Sequence, residues 1–380
     1  HYETFKRAFG DMEHGIALLT GNETRLFLGD GLEREAKKDE LRTLIRNGEV
    51  AIAIGTHTLI EKKVTFLRLA LVVVDEQHRF GVEQRAALVR EDAIPHFLSM
   101  SATPIPRTLA LTLFGNLNVS QITELPKDRK EIITKVVSPN DRLKAYAFIK
   151  EFVKRGRQAF VICPRIQPTN FETGEALDLL VLARLEMKNV TEEYEKLSKK
   201  IFPDLRVAML HGKLKAKEKA EIMERFSCGT VDILVSTSVV EVGVDVPNAT
   251  VMMVESAERF GLAQLYQFRG RVGRSSHQSF CFLFTESSTK ATHERLEAVV
   301  RAKNGFELAE EDLKLRGPGE FLGTIQTGMP DIAMKALAHP TLVPKARLAA
   351  EAILKKDPDL AREPNLCVRL AEFAKRVHFE

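Results

Sequence analysis

Short apolar runs, each followed by a longer helical pattern, recur along this chain and leave few folds open to it. In the first third they are GIALLT (15–20), EVAIAIG (49–55), LALVVVD (69–75) and PHFLSMS (95–101). Most are apolar at successive positions, as strands are when helices cover both faces of their sheet. Between them EREAKKDELRTLIRNG (33–48) has a helical pattern with Gly48 as its stop. ELPKDRKE (124–131) then interrupts with Pro126 and a cluster of charges, and reads as a linker. The alternation restarts with a helix at 141–156 and strands at 158–164, 206–212, 231–237, 249–255 and 279–285. This pattern predicts an α/β protein with two similar parallel-sheet halves and a cleft between them that suits a ligand. Residues 168–200 read as a polar surface insertion carrying one amphipathic helix. From about 288 the strands stop, and the remainder is helical with one glycine-rich interruption, LRGPGEFLGTIQTG (315–328).

Composition sets the outer bounds. A length of 380 residues is too great for one ordinary core and suggests two to three domains. With 44% hydrophobic and 28% charged residues the chain is of the soluble globular class. No apolar run approaches the ~18–20 residues that span a bilayer. Cys163, Cys228, Cys281 and Cys367 are scattered without a CxxC pair, a distribution expected of reduced thiols in a cytoplasmic protein. The net charge of +4 is too mild to point to nucleic acid by itself. The first residues, HYETFKRAFG, include no initiator Met and no signal-peptide core, and read as a cut edge inside a longer protein.

LVVVDEQHRF (71–80) runs an apolar strand into Asp75, Glu76, Gln77 and His78. At the carboxyl edge of a sheet an aspartate can hold Mg2+ through water, and a neighbouring glutamate can orient or deprotonate an attacking water. A nucleotide triphosphatase of that kind also needs a glycine-rich loop ending in Gly-Lys-Thr or Gly-Lys-Ser. The sequence contains none, and its nearest string, HGKLK (211–215), has no hydroxyl after the lysine. An acidic pair alone is more often a polar turn. The apolar run before it and Gln-His after it favour the catalytic reading.

Ser101, Ala102 and Thr103 follow the next strand, from which two hydroxyls could hydrogen-bond the acids; alone, this is an ordinary turn before a helix. Gln267, Gly270, Arg271 and Arg274 form a QxxGRxxR pattern, with both arginines expected on one side of a helix at i, i+3. Arginines so presented can stabilise charge on a transferring γ-phosphate. The alternative is a basic solvated face, against which Gly270 and Gly273 argue because glycines weaken a helix. Gly243 and Asp245 in STSVVEVGVDVPNAT (236–250) suit either a loop touching nucleotide ribose and DNA phosphate or a plain glycine turn. Thr56 and His57 in GTHTLI, with His211 and Gly212 in HGKLKAKEKAEIMERF, are candidate DNA-backbone contacts. No HxH or HExxH spacing marks a histidine metal site.

Together these segments resemble the superfamily 2 helicases, and among them the bacterial RecG helicases, from residue 1 to about 330 and onward to the end. DEQHRFGVEQR (75–85) is similar to that family's Walker B segment, and SATPIPRTLALTLFG (101–115) to its motif III. STSVVEVGVDVPNAT and AERFGLAQLYQFRGRVGRS (257–275) resemble motifs V and VI. The resemblance implies two RecA-like parallel-sheet lobes, 1–125 and 126–287, the first lacking its phosphate loop. A translocation hairpin, a loop and further helices would fill 288–380.

The resemblance also implies ATP and Mg2+ as cofactors. Asp75 would hold Mg2+ through water, Glu76 would activate water beside Gln77 and His78, and Ser101, Ala102 and Thr103 would relay nucleotide state. Gly243, Asp245, Gln267, Arg271 and Arg274 would meet the nucleotide, the two arginines as fingers. In EEDLKLRGPGEFLGTIQTG (310–328), Arg316 and Gln326, with Arg295 on the preceding helix, would couple lobe motion to DNA translocation. The implied activity is ATP-dependent remodelling of stalled forks and Holliday junctions. Its partners would be branched double-stranded DNA and single-stranded DNA-binding protein, with no membrane. The protein would act as a monomer in the bacterial cytoplasm, at the nucleoid.

Two other readings stand beside this one. The first is a translocase that pushes stalled RNA polymerase, as in the related transcription–repair coupling factors. The second is a short inactive chain serving as a DNA-binding or scaffold module. A GxGKT string encoded upstream of His1 would separate the enzymes from the inactive module. The loop at 19–35 and the insertion at 168–200 look longer than the family's usual form and carry no assigned role.

Overall fold

The structure, a computed structural model, describes residues 1–11, 14–61, 63–76, 95–101, 120, 122, 124, 129–164, 190–237, 246–323 and 342–376. The chain divides into two compact units, residues 1–102 and 103–379.

In the first unit α1 (Tyr2–Phe9) precedes a four-stranded sheet of β1 (Gly15–Leu19), β2 (Thr24–Phe27), β3 (Glu33–Glu35) and β4 (Val50–Gly55), in the order β3-β2-β1-β4. Only β1 and β4 are parallel; β2 and β3 pair antiparallel. The stretch expected as a loop at 19–35 therefore supplies two strands. The helix expected from residue 33 begins later, as α2 (Lys38–Asn47). Glu33–Glu35 is drawn into the sheet by its pairing with β2, where Glu33 also meets Lys6 and Arg25. In α2, Leu41 and Ile45 fall on one face at i, i+4 and are buried against Ala17, Leu19 and Leu26. The helix stops at Gly48, as its sequence predicts, and the Gly48 N–H donates to Ile45 O at 3.2 Å.

A second, parallel pair in this unit joins β5 (Leu71–Asp75) and β6 (His96–Met100), in a register running from Leu71↔His96 to Asp75↔Met100. Both strands were expected to be covered on each face. In β5, Val72 and Val74 are buried, while Leu71 and Val73 are 55% and 49% exposed. Successive side chains leave a strand on opposite faces, so β5 buries one face, whereas β6 exposes both, with Phe97 41% and Leu98 51% exposed.

The second unit is built on six parallel strands: β7 (Ile133–Val137), β8 (Gln158–Ile162), β9 (Val207–Leu210), β10 (Ile233–Ser236), β11 (Ala249–Val254) and β12 (Phe280–Phe284). Their order is β7-β12-β11-β8-β10-β9, which brings every carboxyl end to one edge. Residues of β8 alternate between two cores. Phe160 and Ile162 join Phe226, Leu265, Phe268 and Val299, while Ala159 and Val161 join Ile149, Val153 and Phe202. Covered on both sides, β8, β10 and β11 are buried at every position, and each fully buried large side chain contributes roughly 1.5–3 kcal/mol.

The helices of this unit are α3 (Arg142–Lys154), α4 (Ala216–Ser227), α5 (Leu262–Arg269), α6 (Lys290–Arg301) and α7 (Gly305–Gly323), with α8 (Leu342–Lys356) and α9 (Pro364–Arg376) closing the described chain. Two expectations change here. The described end of the supposed surface insertion, residues 190–201, is helical, and it buries Val190 and Leu197 together with Phe202 in the core beside α3. Val190 and Leu197 are seven residues apart, two helical turns, so one face of a polar-looking segment points inward. The glycine-rich interruption expected from 315 is helical as far as Gly323, as the C-terminal part of α7. Among the described residues no helix is long and apolar enough to cross a membrane.

Candidate functional site

The first group of predicted residues sits at the end of β5. Asp75 is its last residue, and Glu76 follows with φ +53, a left-handed conformation that costs a non-glycine residue about 1–3 kcal/mol. Asp75 Oδ1 accepts the Glu76 N–H at 2.9 Å, which helps hold this turn. Asp75 Oδ2 lies 3.3 Å from His1 Nε2, and the side chain is 50% exposed. The parallel β5–β6 register ends at Asp75↔Met100, so Glu76 and Ser101 each follow their strand at the same edge of the pair. Three predicted residues thus lie at one sheet edge. Gln77, His78, Ala102 and Thr103 lie outside the described residues. Among the described residues no group of three His, Cys, Asp or Glu side chains is spaced to cage a metal. The half-exposed Asp75 carboxylate could hold Mg2+ through water, since that ion keeps most of its waters and needs only one or two carboxylates when phosphates supply further oxygens.

At the end of β4, a Cβ on Gly55 would lie 2.1 Å from Leu19 O, so only glycine lets the two parallel strands approach there. The chain then turns into the short helix His57–Ile60, with Thr56 and His57 exposed and Thr58 buried. In the second unit His211 and Gly212 follow β9 and lead to α4. Lys219 Nζ donates to Gly212 O at 2.7 Å. Burial, and then the charges of Lys219 and Lys213, hold the His211 imidazole below its ordinary range. The two lysines make the surroundings of His211 electropositive.

The arginine pattern differs from its expected form. α5 ends at Arg269, and Gly270 through Arg274 form a turn, so Arg271 and Arg274 do not share a helix face. Gly273 breaks the helix: its φ is +74, and a Cβ there would meet Ile132 at 2.8 Å. Arg129 Nε donates to Gly273 O at 2.7 Å and pins the turn. Arg271 is half-buried and Arg274 exposed, while Gln267 is half-buried on α5. Arg295, on α6, donates from Nη1 to Phe260 O at 2.9 Å and from Nη2 to Glu258 O. Arg316 lies within α7. Gly243, Asp245 and Gln326 fall outside the described residues.

Three known families match the chain along its length. Residues 1–112 match the DEAD/DEAH box helicase family, and residues 144–276 match the helicase conserved C-terminal domain. Residues 302–377 match the family described as ATP-dependent DNA helicase RecG, domain 3, C-terminal. The ATP-dependent DNA helicase RecG of Synechocystis is 45% identical over 373 residues, 98% of this chain and 42% of that protein. Along nearly its whole length the chain is similar to the RecG helicases. RecG of Aquifex aeolicus is 43% identical over 369 residues, 95% of this chain and 43% of its own length. A solved structure of RecG bound to a three-way DNA junction matches with a TM-score of 0.65 and 38% identity, over 90% of this chain and 41% of that one. The chain therefore spans somewhat over two fifths of the length of these RecG relatives.

Two features of this chain escaped the sequence. Glu255 directly follows β11 and is only 6% exposed. Arg142 grips it with both nitrogens, Nη1–Oε1 at 2.7 Å and Nη2–Oε2 at 2.9 Å, while Tyr146 Oη lies 3.3 Å from Oε1 and Lys196 Nζ 3.7 Å. Burial pushes the Glu255 carboxyl up, but the Arg142 hydrogen bonds and charge prevail and hold it below the usual range. Glu193, paired with Lys196 at 3.1 Å, moves the other way, raised by burial and then by the charge of Glu255. An acid at the end of an apolar strand was the signal used for Asp75, and ATVMMVE carries the same signal. The second feature is Arg269, buried at the end of α5, which nothing in LYQFRGR distinguishes from the half-buried Arg271.

Proposed function

We propose that the whole protein couples ATP hydrolysis to movement along double-stranded DNA and remodels stalled forks and Holliday junctions by fork reversal and branch migration, in DNA repair and recombination. The observation that carries this reading is the Asp75–Glu76 turn at the sheet edge where Ser101 also emerges, in a chain 43–45% identical to proteins named ATP-dependent DNA helicase RecG. Mg2+, bound with ATP, supplies charge neutralisation at the phosphates. Asp75 holds it through water, and Glu76 takes the proton of the attacking water, with Gln77 and His78 beside it. Ser101, Ala102 and Thr103 relay nucleotide state. Gln267, Arg271 and Arg274, with Gly243 and Asp245, meet the nucleotide, the arginines bearing on the γ-phosphate.

Thr56, His57, His211 and Gly212 meet the DNA backbone, where binding is electrostatic and largely indifferent to sequence. Arg295, Arg316 and Gln326 pass motion to the DNA. The work is divided among residues 1–125, 126–287 and 288–380. The partners are branched duplex DNA and single-stranded DNA-binding protein, and the protein acts as a monomer in the cytoplasm, at the nucleoid. The test is Glu76→Gln in the whole protein. Loss of hydrolysis with nucleotide binding retained supports the reading; equal loss of both makes Glu76 structural and removes the proposed base.

A further inference from the structure

Arg269 is 8% exposed, a position where an arginine needs compensation for leaving water. Its Nη1 donates to Val299 O at 2.7 Å and Ala302 O at 3.2 Å, and its Nη2 donates to Ala302 O at 3.2 Å. These carbonyls close the last turn of α6, where a cation is favoured by the helix dipole and by acceptors that lack an intrahelical partner. The guanidinium also lies 4.6 Å over the Tyr266 ring. One residue after Arg269 the chain enters the Gly270–Arg274 turn, whose other end Arg129 pins at Gly273 O. A reciprocal contact runs from α6 to the approach of α5, through Arg295 to the carbonyls of Glu258 and Phe260.

Apolar packing already joins the two helices, since Leu265, Phe268, Leu296 and Val299 share one core. Such packing is non-directional and tolerates small slips. Three hydrogen bonds from one planar guanidinium to two chosen carbonyls are directional and fix a register. We propose that Arg269 is a positioning residue that locks the Gly270–Arg274 turn to the end of α6, so that Arg271, Arg274 and the α6–α7 pair move as one body. The proposal deepens the functional reading above and rests on it for its consequence in turnover.

Two measurements separate the two ideas. In the 380-residue chain, hydrogen–deuterium exchange compares wild type with Arg269→Met, and with Arg269→Lys in case the first variant does not fold. The lock predicts exchange about tenfold faster both in the last turn of α6 and at residues 270–274, with β8 and β11 unchanged. Faster exchange confined to α6, or no change in either segment, overturns it. In the whole protein, DNA-stimulated ATP turnover of Arg269→Lys should show kcat lowered about tenfold with the KM for ATP within about twofold, because nucleotide contacts remain while their coupling is loosened. Wild-type turnover per folded molecule in that variant also overturns the lock. If the wild-type protein itself shows no DNA-stimulated turnover, the functional reading fails, and the exchange measurement still decides the role of Arg269.

Discussion

Strands β5 and β11 read almost alike, LVVVDE against TVMMVE, yet their ends are built differently. β11 lies between β8 and β12 with a core on each face, and its terminal acid, Glu255, is sealed in by Arg142, Tyr146 and Lys196. β5 pairs with β6, buries one face, and ends in an aspartate half open to water and a glutamate in a left-handed turn. A carboxylate whose hydrogen-bonding capacity is filled by an internal arginine is a structural joint. A carboxylate at an exposed sheet edge keeps oxygens for a hydrated cation or a water. An acid at a strand end therefore becomes a site or a joint according to what the rest of the fold brings to it.

The largest effect that could break this comparison concerns turnover. With no glycine-rich Gly-Lys-Thr/Ser loop in its 380 residues, the purified chain should turn over ATP negligibly even with branched DNA present, because the triphosphate is not positioned. DNA-stimulated hydrolysis by the pure chain at the level of an active helicase would show that the open acids need no such cradle. Next comes the sealed end. Arg142→Met leaves Glu255 buried without its main partner and should destabilise the second unit by about 3–5 kcal/mol in urea unfolding. Asp75→Asn, at the open end, should change unfolding of the first unit by less than about 0.5 kcal/mol. Similar losses for both would erase the distinction.

A smaller contrast concerns the strands themselves. Met253→Ala in β11 should cost about 2–5 kcal/mol, and Val73→Ala in β5 within about 0.5 kcal/mol, as read by thermal unfolding. The smallest expected effect is one of pH. The folded-state pKa of Glu193 is raised, so its ionisation opposes folding as pH climbs from the ordinary carboxylate range through that raised value. Glu193→Gln should therefore be more stable than wild type near neutral pH, and the advantage should vanish below the ordinary carboxylate range. Glu255, lowered, has the opposite sign: its contribution is present above the ordinary range and is lost as pH falls through its depressed value.

Strand positions were legible because apolar runs in a parallel sheet are bounded by polar residues at the edges; ATVMMVE ends within a residue of Ala249–Val254. The missed strands were β2, β3 and β7, which are short or carry charges, as in Glu33–Glu35, and owe their place to a neighbour's hydrogen bonds. That Glu76 and Ser101 follow neighbouring parallel strands at one edge was legible from strand-end logic. The arginine turn was misread as a helix because i, i+3 spacing fits both, and Gly273 decides between them through a close approach to Ile132 that no local pattern contains. Arg142 and Glu255 are 113 residues apart, so their union is a property of the topology alone.

The most direct test of this account is the steady-state rate of DNA-stimulated ATP hydrolysis, per folded molecule, for Glu76→Gln and Glu255→Gln in the whole protein. The account predicts hydrolysis abolished by Glu76→Gln and retained by Glu255→Gln, whose defect would lie in stability. Retained hydrolysis in Glu76→Gln, or its loss in a fully folded Glu255→Gln, would contradict the division between an open catalytic end and a sealed structural one.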